Sequence, residues 1–349
     1  MKTIDIAGRQ VGPGTPCLLV AEIGLNHNGD MGLARETITA AAEAGADAVK
    51  FQNYRTEDFV TDRSLIYEYE NAGEQVRETQ YDMFKRCELG AEDLVGLKEQ
   101  CDRDGVIFHS TPTSREGIEA LLAVGAPMLK NGSDYLTHLP LIRAMAETGL
   151  PTVLSTGMAT LAEVDEAVCA FRDAGNDQLV LLECTSSYPT PPQEVHLRRM
   201  PALGQAFDCL AGFSDHTAGT TAAIASVVLG ACLIEKHFTL DRGLPGPDHY
   251  FSSDPAEFAE LVRAVREVEV MLGTSRTYLK ESERFGRENF RLSCVAARDL
   301  GPGHALREED IAFQRPGSGV RPADAYLIIG RRLNKRKAMH EVLYPDDFS

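Results

Sequence analysis

Apolar residues along this chain come in short runs separated by longer stretches of amphipathic pattern. Eight runs read as strands: 17–22, 48–52, 106–110, 128–130, 152–155, 179–183, 210–213 and 232–236. Between them apolar positions recur at helical spacing, as in 31–44, 91–104, 115–124, 140–148 and 161–174. Gly45 follows the first of these as a natural helix stop. Thr160-Leu161-Ala162-Glu163 has the form of a capping box. Asp254-Pro255 supplies an N-cap and a proline at the first position of a last helix, 255–272. Eight strand–helix repeats in about 270 residues predict an α/β chain folded as a (β/α)8 TIM barrel rather than an open sheet.

The stretch 210–248 is the most telling. Two apolar runs each end in a histidine, His216 and His237, and the small apolar segment 218–229 between them reads as a buried helix. Strand, helix, strand at this spacing is a parallel βαβ unit, which sets the two histidines about 5 Å apart at neighbouring carboxyl strand ends. Imidazoles so placed can share one divalent ion, and carboxyl strand ends are where barrels keep their sites. The plain alternative is two unrelated polar residues at strand exits.

After residue 272 the pattern changes. The segment 273–290 is charged, lacks a sustained apolar face and reads as a linker. Residues 291–349 form a small unit punctuated by Gly and Pro, too small to bury much core alone. The predicted division is therefore 1–272 barrel, 273–290 linker and 291–349 second domain. Charge sharpens it: 291–349 carries ten Lys/Arg against eight Asp/Glu, while 1–290 carries 25 against 44. The net charge of −17 argues against nucleic acid and anionic membranes as partners. No apolar run approaches a membrane span, and 1–10 lacks the pattern of a signal peptide. Eight cysteines without a CxxC pair, most of them inside apolar patterns, read as reduced core residues of a cytoplasmic protein.

Polar residues gather where the strands end. Glu22 closes the first, Lys50 and Gln52 the second, and Thr111 follows the third. Lys130 and Ser133 follow the fourth, Ser155-Thr156-Gly157 the fifth, and Glu183, Ser186 and Tyr188 the sixth. A lysine at a strand end is most simply a solvated one. Two lysines among hydroxyls and backbone amides at one barrel mouth suggest an anion, most simply a phosphate. A metal pair beside a phosphate site points to an enzyme acting on a phosphorylated metabolite.

With these motifs the chain resembles the sialic acid synthase family, which makes nine-carbon 2-keto acids, the nonulosonates. The marks are Ala21-Glu22-Ile23-Gly24-Leu25-Asn26-His27-Asn28-Gly29, Val49-Lys50-Phe51-Gln52, Ser110-Thr111-Pro112, Ser155-Thr156-Gly157-Met158 and Tyr188-Pro189-Thr190-Pro191. Ser214-Asp215-His216-Thr217, Glu235-Lys236-His237-Phe238-Thr239 and Pro245-Gly246-Pro247-Asp248 complete the barrel set. The tail, with Arg315-Pro316-Gly317-Ser318-Gly319, resembles the family's antifreeze-like (SAF, β-clip) domain. The resemblance implies condensation of phosphoenolpyruvate with the open-chain aldehyde of an N-acylhexosamine, such as N-acetylmannosamine, giving a nonulosonate and phosphate. It implies that His216 and His237 bind a divalent metal, Mn2+ first and Mg2+ or Co2+ as alternatives. Glu22 and Asp248 would orient the sugar, and Glu22 is the candidate to take a proton from water. Lys50, Thr111, Lys130, Ser133, Ser186 and Ser214 would surround phosphoenolpyruvate, with Gln52 and Tyr188 in the substrate-binding set. Arg315 would reach the sugar's acyl group from the other subunit of a domain-swapped homodimer.

Several positions depart from the pattern of the N-acetylneuraminate-making members: Phe51-Gln52-Asn53-Tyr54 after Lys50, Thr113, Glu183, Asn131 and Asp134-Tyr135. None removes a proposed metal ligand or lysine. They leave the sugar open among N-acetylmannosamine, its 6-phosphate and a 2,4-diacetamido-trideoxyhexose. Alternative readings are another metal-dependent TIM-barrel aldolase or keto-acid synthase, and a carbohydrate-binding scaffold that has lost activity.

Overall fold

All eight apolar runs form parallel strands in the computed structural model, which describes residues 3–71 and 74–349. They are β1 (Leu18–Gly24), β2 (Ala48–Asn53), β3 (Ile107–Pro112), β4 (Leu129–Asn131), β5 (Thr152–Ser155), β6 (Leu179–Cys184), β7 (Leu210–Asp215) and β8 (Leu233–His237). Hydrogen-bonded neighbours follow the order β3-β2-β1-β8-β7-β6-β5-β4, with β3 and β4 side by side at the seam. The strands thus curl into the predicted TIM barrel, with helices between them packed on the outside. The helix ends follow their sequence signals. The Glu163 N–H donates to the Thr160 hydroxyl at 3.4 Å and the Thr160 N–H donates to the Glu163 carboxylate at 2.7 Å. Glu257 N–H donates to Asp254 at 2.9 Å, fixing the start of helix Pro255–Leu272.

Alternation along the strands arranges the interior. Leu18, Val20, Val153, Val180, Leu210 and Leu233 fill its amino-terminal half with apolar layers. Two or four residues further along the strands, the same inward face carries Glu22, Lys50, Lys130, Ser155, Cys184, Ser214 and Glu235. The floor is closed by a hairpin that the pattern did not reveal, Ile4–Ile6 paired with Arg9–Val11. Its strands are three residues long, below the length at which alternation is readable, and they turn through Ala7 and Gly8, both at positive φ. Ile4, Ile6 and Val11 are buried against the barrel's apolar layers. A second unforeseen hairpin, Ile66–Asn71 with Glu74–Thr79, leads into helix Gln80–Arg86. Its charged sequence hides the strands. The helix expected over 218–229 forms as Thr221–Val228, because Gly219 adopts φ +77° and delays its start.

The chain divides into two units, Met1–Gly273 and Thr274–Ser349. The segment read as a linker carries a short helix, Arg284–Asn289, at its end. The second unit pairs Ser293–Ala296 with Ile311–Gln314 and has its own core, including Cys294, Leu300, Leu306, Leu333 and Leu343. Its buried Lys337 pairs with Asp347 at 2.6 Å. Among the described residues no helix is long and apolar enough to cross a membrane.

Candidate active site

The carboxyl ends of the strands surround a cavity of about 490 Å3. Its walls include Lys50, Gln52, Thr111, Lys130, Ser133, Ser186, Tyr188, Ser214, His216, His237 and Asp248, residues expected from sequence. Glu22 is joined to it from beneath, 3.3 Å from the Lys50 ammonium and accepting from Gln52 Nε2 at 3.1 Å. Arg315 lies in the second unit, its guanidinium 5.4 Å over the Phe290 ring.

A buried cluster of charges forms the floor. Lys50 lies between Glu22 and Glu235, 3.2 Å from the latter, and the Ser214 hydroxyl donates to Glu235 at 3.0 Å. Burial raises the Glu22 carboxyl to about 7 against the pull of Lys50. Burial also works against ionisation of Glu235, but Lys130 and then Lys50 hold its carboxyl well below the ordinary range. For Lys50 the two carboxylates outweigh burial and hold the ammonium charged. Lys130 differs. Burial lowers its affinity for a proton, with Glu235 opposing, and its ammonium donates to the Asn131 carbonyl at 2.8 Å. No carboxylate forms an ion pair with it among the described residues. His109, beside Lys50 in register, is held neutral, pushed down to about 3 by burial and then by Lys50.

Hydroxyls and amides converge beside the lysines. The Gly157 N–H donates to Ser133 Oγ at 3.0 Å, and a Cβ on Gly157 would collide with the hydroxyls of both Ser133 and Ser186. Lys50 reaches Thr111 Oγ1 at 3.5 Å. Cationic ammonium groups, three hydroxyls and a glycine turn form a cradle for a small polyanion.

The two histidines stand with ring centroids 5.4 Å apart. His216 Nδ1 lies 2.8 Å from the Thr185 carbonyl, so that nitrogen carries the proton and Nε2 keeps its lone pair. His237 Nδ1 is buried without a hydrogen-bond partner, 3.6 Å from Asp248 Oδ2. Burial, then His216, holds the His237 imidazole well below its ordinary value, in the neutral form that ligates metal. Burial raises Asp248 to about 6, with His216 opposing. Among the described residues no three His, Cys, Asp or Glu side chains converge as a complete ligand set. Two imidazoles facing one cavity, one of them with an orphaned nitrogen, would suit a divalent ion.

Other cavity residues were not anticipated. Glu235 sits two residues before His237 on the inward face, and that alternation was the available signal. Cys184 lies 3.6 Å from Ser133 Oγ and 3.9 Å from His216 Nδ1. Tyr67, Met83 and Phe84 arrive from the second hairpin and its helix. The departures from the familiar pattern separate into two groups. Tyr54, Thr113, Asp134 and Tyr135 line the cavity. Phe51, Asn131 and Glu183 alternate with inward-facing neighbours; Phe51 packs in the outer core, and Glu183 lies 3.7 Å from Arg199.

A model of the NeuB family matches residues 37–277, and one of the SAF domain matches 293–349. The chain belongs to the NeuB family. Among relatives, the N,N'-diacetyllegionaminic acid synthase of Legionella pneumophila is 39% identical over 93% of this chain and 92% of its own. That of Campylobacter jejuni is 35% identical over 93% and 98%. A crystal structure of N-acetylneuraminic acid (sialic acid) synthetase from Leptospira borgpetersenii superposes with a TM-score of 0.74 at 31% identity, over 82% of this chain and 95% of that one. Membership of the NeuB family agrees with the resemblance read from the motifs and favours a synthase over the aldolase and scaffold alternatives.

Proposed function

We propose that the chain condenses phosphoenolpyruvate with the aldehyde of an N-acylated hexosamine, giving a nonulosonate and inorganic phosphate. The observation that carries this reading is Lys130: a buried lysine that forms no ion pair with a carboxylate among the described residues, facing a cavity that also presents Lys50, Ser133 and Ser186. Burying such a charge is costly unless an anion meets it. Phosphoenolpyruvate supplies that anion, and the relatives' products are acids of this class.

In the reaction, C3 of phosphoenolpyruvate forms a carbon–carbon bond to the aldehyde carbon. Water adds to C2, and the C2–oxygen bond to phosphate then breaks. Lys50, Lys130 and the cradle hydroxyls receive the departing dianion, and fixing both substrates at one mouth lowers the entropic barrier. Glu22, beside Lys50, takes the proton from water. Asp248 and Gln52 orient the sugar, and Tyr188, its ring 4.3 Å from that of His216, closes the side of the site. His216 and His237 hold a divalent ion, Mn2+ first, which when bound supplies Lewis acidity toward an aldehyde oxygen. The reaction belongs in the cytoplasm, where phosphoenolpyruvate is made and free cysteines stay reduced.

The test is phosphate release from phosphoenolpyruvate with Mn2+ and a panel of hexosamines, before and after EDTA. Release that requires a sugar and disappears with EDTA is expected. Release without a sugar, or none with any sugar, overturns the reading.

A further inference from the structure

Asp215 and Lys236 each stand immediately before one of the two cavity histidines. β7 and β8 are parallel neighbours, and their register sets Ser214 opposite Glu235 and Asp215 opposite Lys236. Ser214 and Glu235 line the cavity, so alternation turns Asp215 and Lys236 away from it, toward the outer layer. Both are buried, their side chains 0% and 2% exposed. The Lys236 ammonium lies 3.0 Å from Asp215 Oδ2 and donates to the Thr217 carbonyl at 2.9 Å. Asp215 Oδ1 accepts from the Thr217 N–H at 2.9 Å. From β8, one lysine thus holds the residues on both sides of His216.

Stability alone does not call for this arrangement. Taking two charges out of water costs about what their attraction returns, and an apolar pair of the same volume would join the strands as well. What the pair adds is a fixed position for Thr217, and with it for His216. The register of β7 and β8 ends at Asp215 and Lys236, one residue short of each imidazole. Beyond that point the histidines are tied to different neighbours. The His216 carbonyl accepts from the Thr190 N–H at 2.8 Å and its Nδ1 donates to the Thr185 carbonyl at 2.8 Å, both in the loop after β6. The His237 carbonyl accepts from the Ser253 N–H at 2.8 Å. The contacts among Asp215, Lys236 and Thr217 join the two histidines to each other. We propose that Asp215 and Lys236 are positioning residues that set the spacing of His216 and His237, so that affinity for a divalent cation depends on their pairing while the phosphate floor does not. This rests on the reading of the two histidines as metal ligands.

The experiment uses the full chain and Mn2+ alone, with bound and free ion distinguished by electron paramagnetic resonance. Asp215→Asn combined with Lys236→Met removes both charges at similar volume, keeps an acceptor for the Thr217 N–H and strands no buried charge, so folding is retained. This double variant is expected to bind Mn2+ about 10–100-fold more weakly than the parent. Its affinity for phosphoenolpyruvate without metal, measured by calorimetry, is expected to stay within about twofold, and its urea midpoint at or above the parent's. His237→Ala is expected to lose Mn2+ binding. Parental Mn2+ affinity in the double variant, with His237→Ala defective, overturns the positioning role and leaves the metal site standing. A double variant that loses Mn2+ affinity, phosphoenolpyruvate affinity and urea resistance together also overturns it, since the pair would then support the barrel as a whole. A parent that binds no Mn2+, or a His237→Ala protein that binds it as the parent does, overturns the metal reading and the positioning role with it.

Discussion

Lys130 separates stability from function at the scale of one residue. Its ammonium is buried and its hydrogen bond goes to a backbone carbonyl. A protein selected for stability alone has no use for that charge. Lys130→Met is therefore expected to leave the urea midpoint unchanged or raise it, and to weaken phosphoenolpyruvate binding by about a hundredfold or more. Calorimetry with phosphoenolpyruvate alone and urea denaturation, on the same preparation, check both halves. A Met variant that loses stability in step with affinity would place Lys130 among structural residues. Lys130 was visible in the sequence as a polar residue closing an apolar run, whereas its missing partner was not. Pairing is a property of side chains from four different strands, and only their register shows that Glu235 and Glu22 converge on Lys50 instead.

At the scale of the strand, alternation explains much of what the sequence could and could not reveal. The inward positions that carry the floor lie two or four residues beyond a buried apolar position of the same run, and a period of two is readable from sequence. That is why the barrel and most of its cavity wall were legible. The hairpins Ile4–Ile6/Arg9–Val11 and Ile66–Asn71/Glu74–Thr79 were not, being respectively too short and too charged to show a period. Glu183 illustrates the other face of the alternation. It is buried on β6 next to inward-facing Cys184, and its carboxyl is raised to about 7 by burial, with Arg199 opposing. A carboxyl raised on folding favours the fold fully below its unfolded value near 4.3, and the advantage disappears as pH rises through about 7. Glu183→Gln removes the ionised form. At pH 8 it is expected to be more stable than the parent by roughly 1–2 kcal/mol, allowing for screening by exposed Arg199, with the gap narrowing toward pH 5. Urea midpoints at the two pH values measure it, and an equal difference at both would rule out ionisation as the cause.

At the scale of the whole molecule the chain consists of two units, each with its own core. The domain-swapped homodimer implied by the family resemblance gives Arg315 a place in the partner's chemistry, and it has a direct test. Arg315→Ala and His237→Ala proteins, each expected to be poorly active alone, are expected to recover activity when unfolded and refolded together, because a mixed dimer contains one barrel with intact His237 that is served by an intact Arg315. Mixtures no more active than their components would confine Arg315 to its own subunit or remove it from the reaction.

The hairpin Ile4–Ile6/Arg9–Val11 gives the barrel one entrance, because Ile4, Ile6 and Val11 seal the other end against Leu18 and Leu233. A vessel open at one end imposes a queue. The ligand that occupies the floor must enter before the one at the rim, and what remains at the floor after reaction must wait for the rim to clear. With the lysines deepest, phosphoenolpyruvate goes in first and inorganic phosphate comes out last. Steady-state kinetics would register this as an ordered mechanism, with phosphate inhibiting competitively against phosphoenolpyruvate but not against the sugar. Random order would mean that the rim leaves a passage beside the bound sugar.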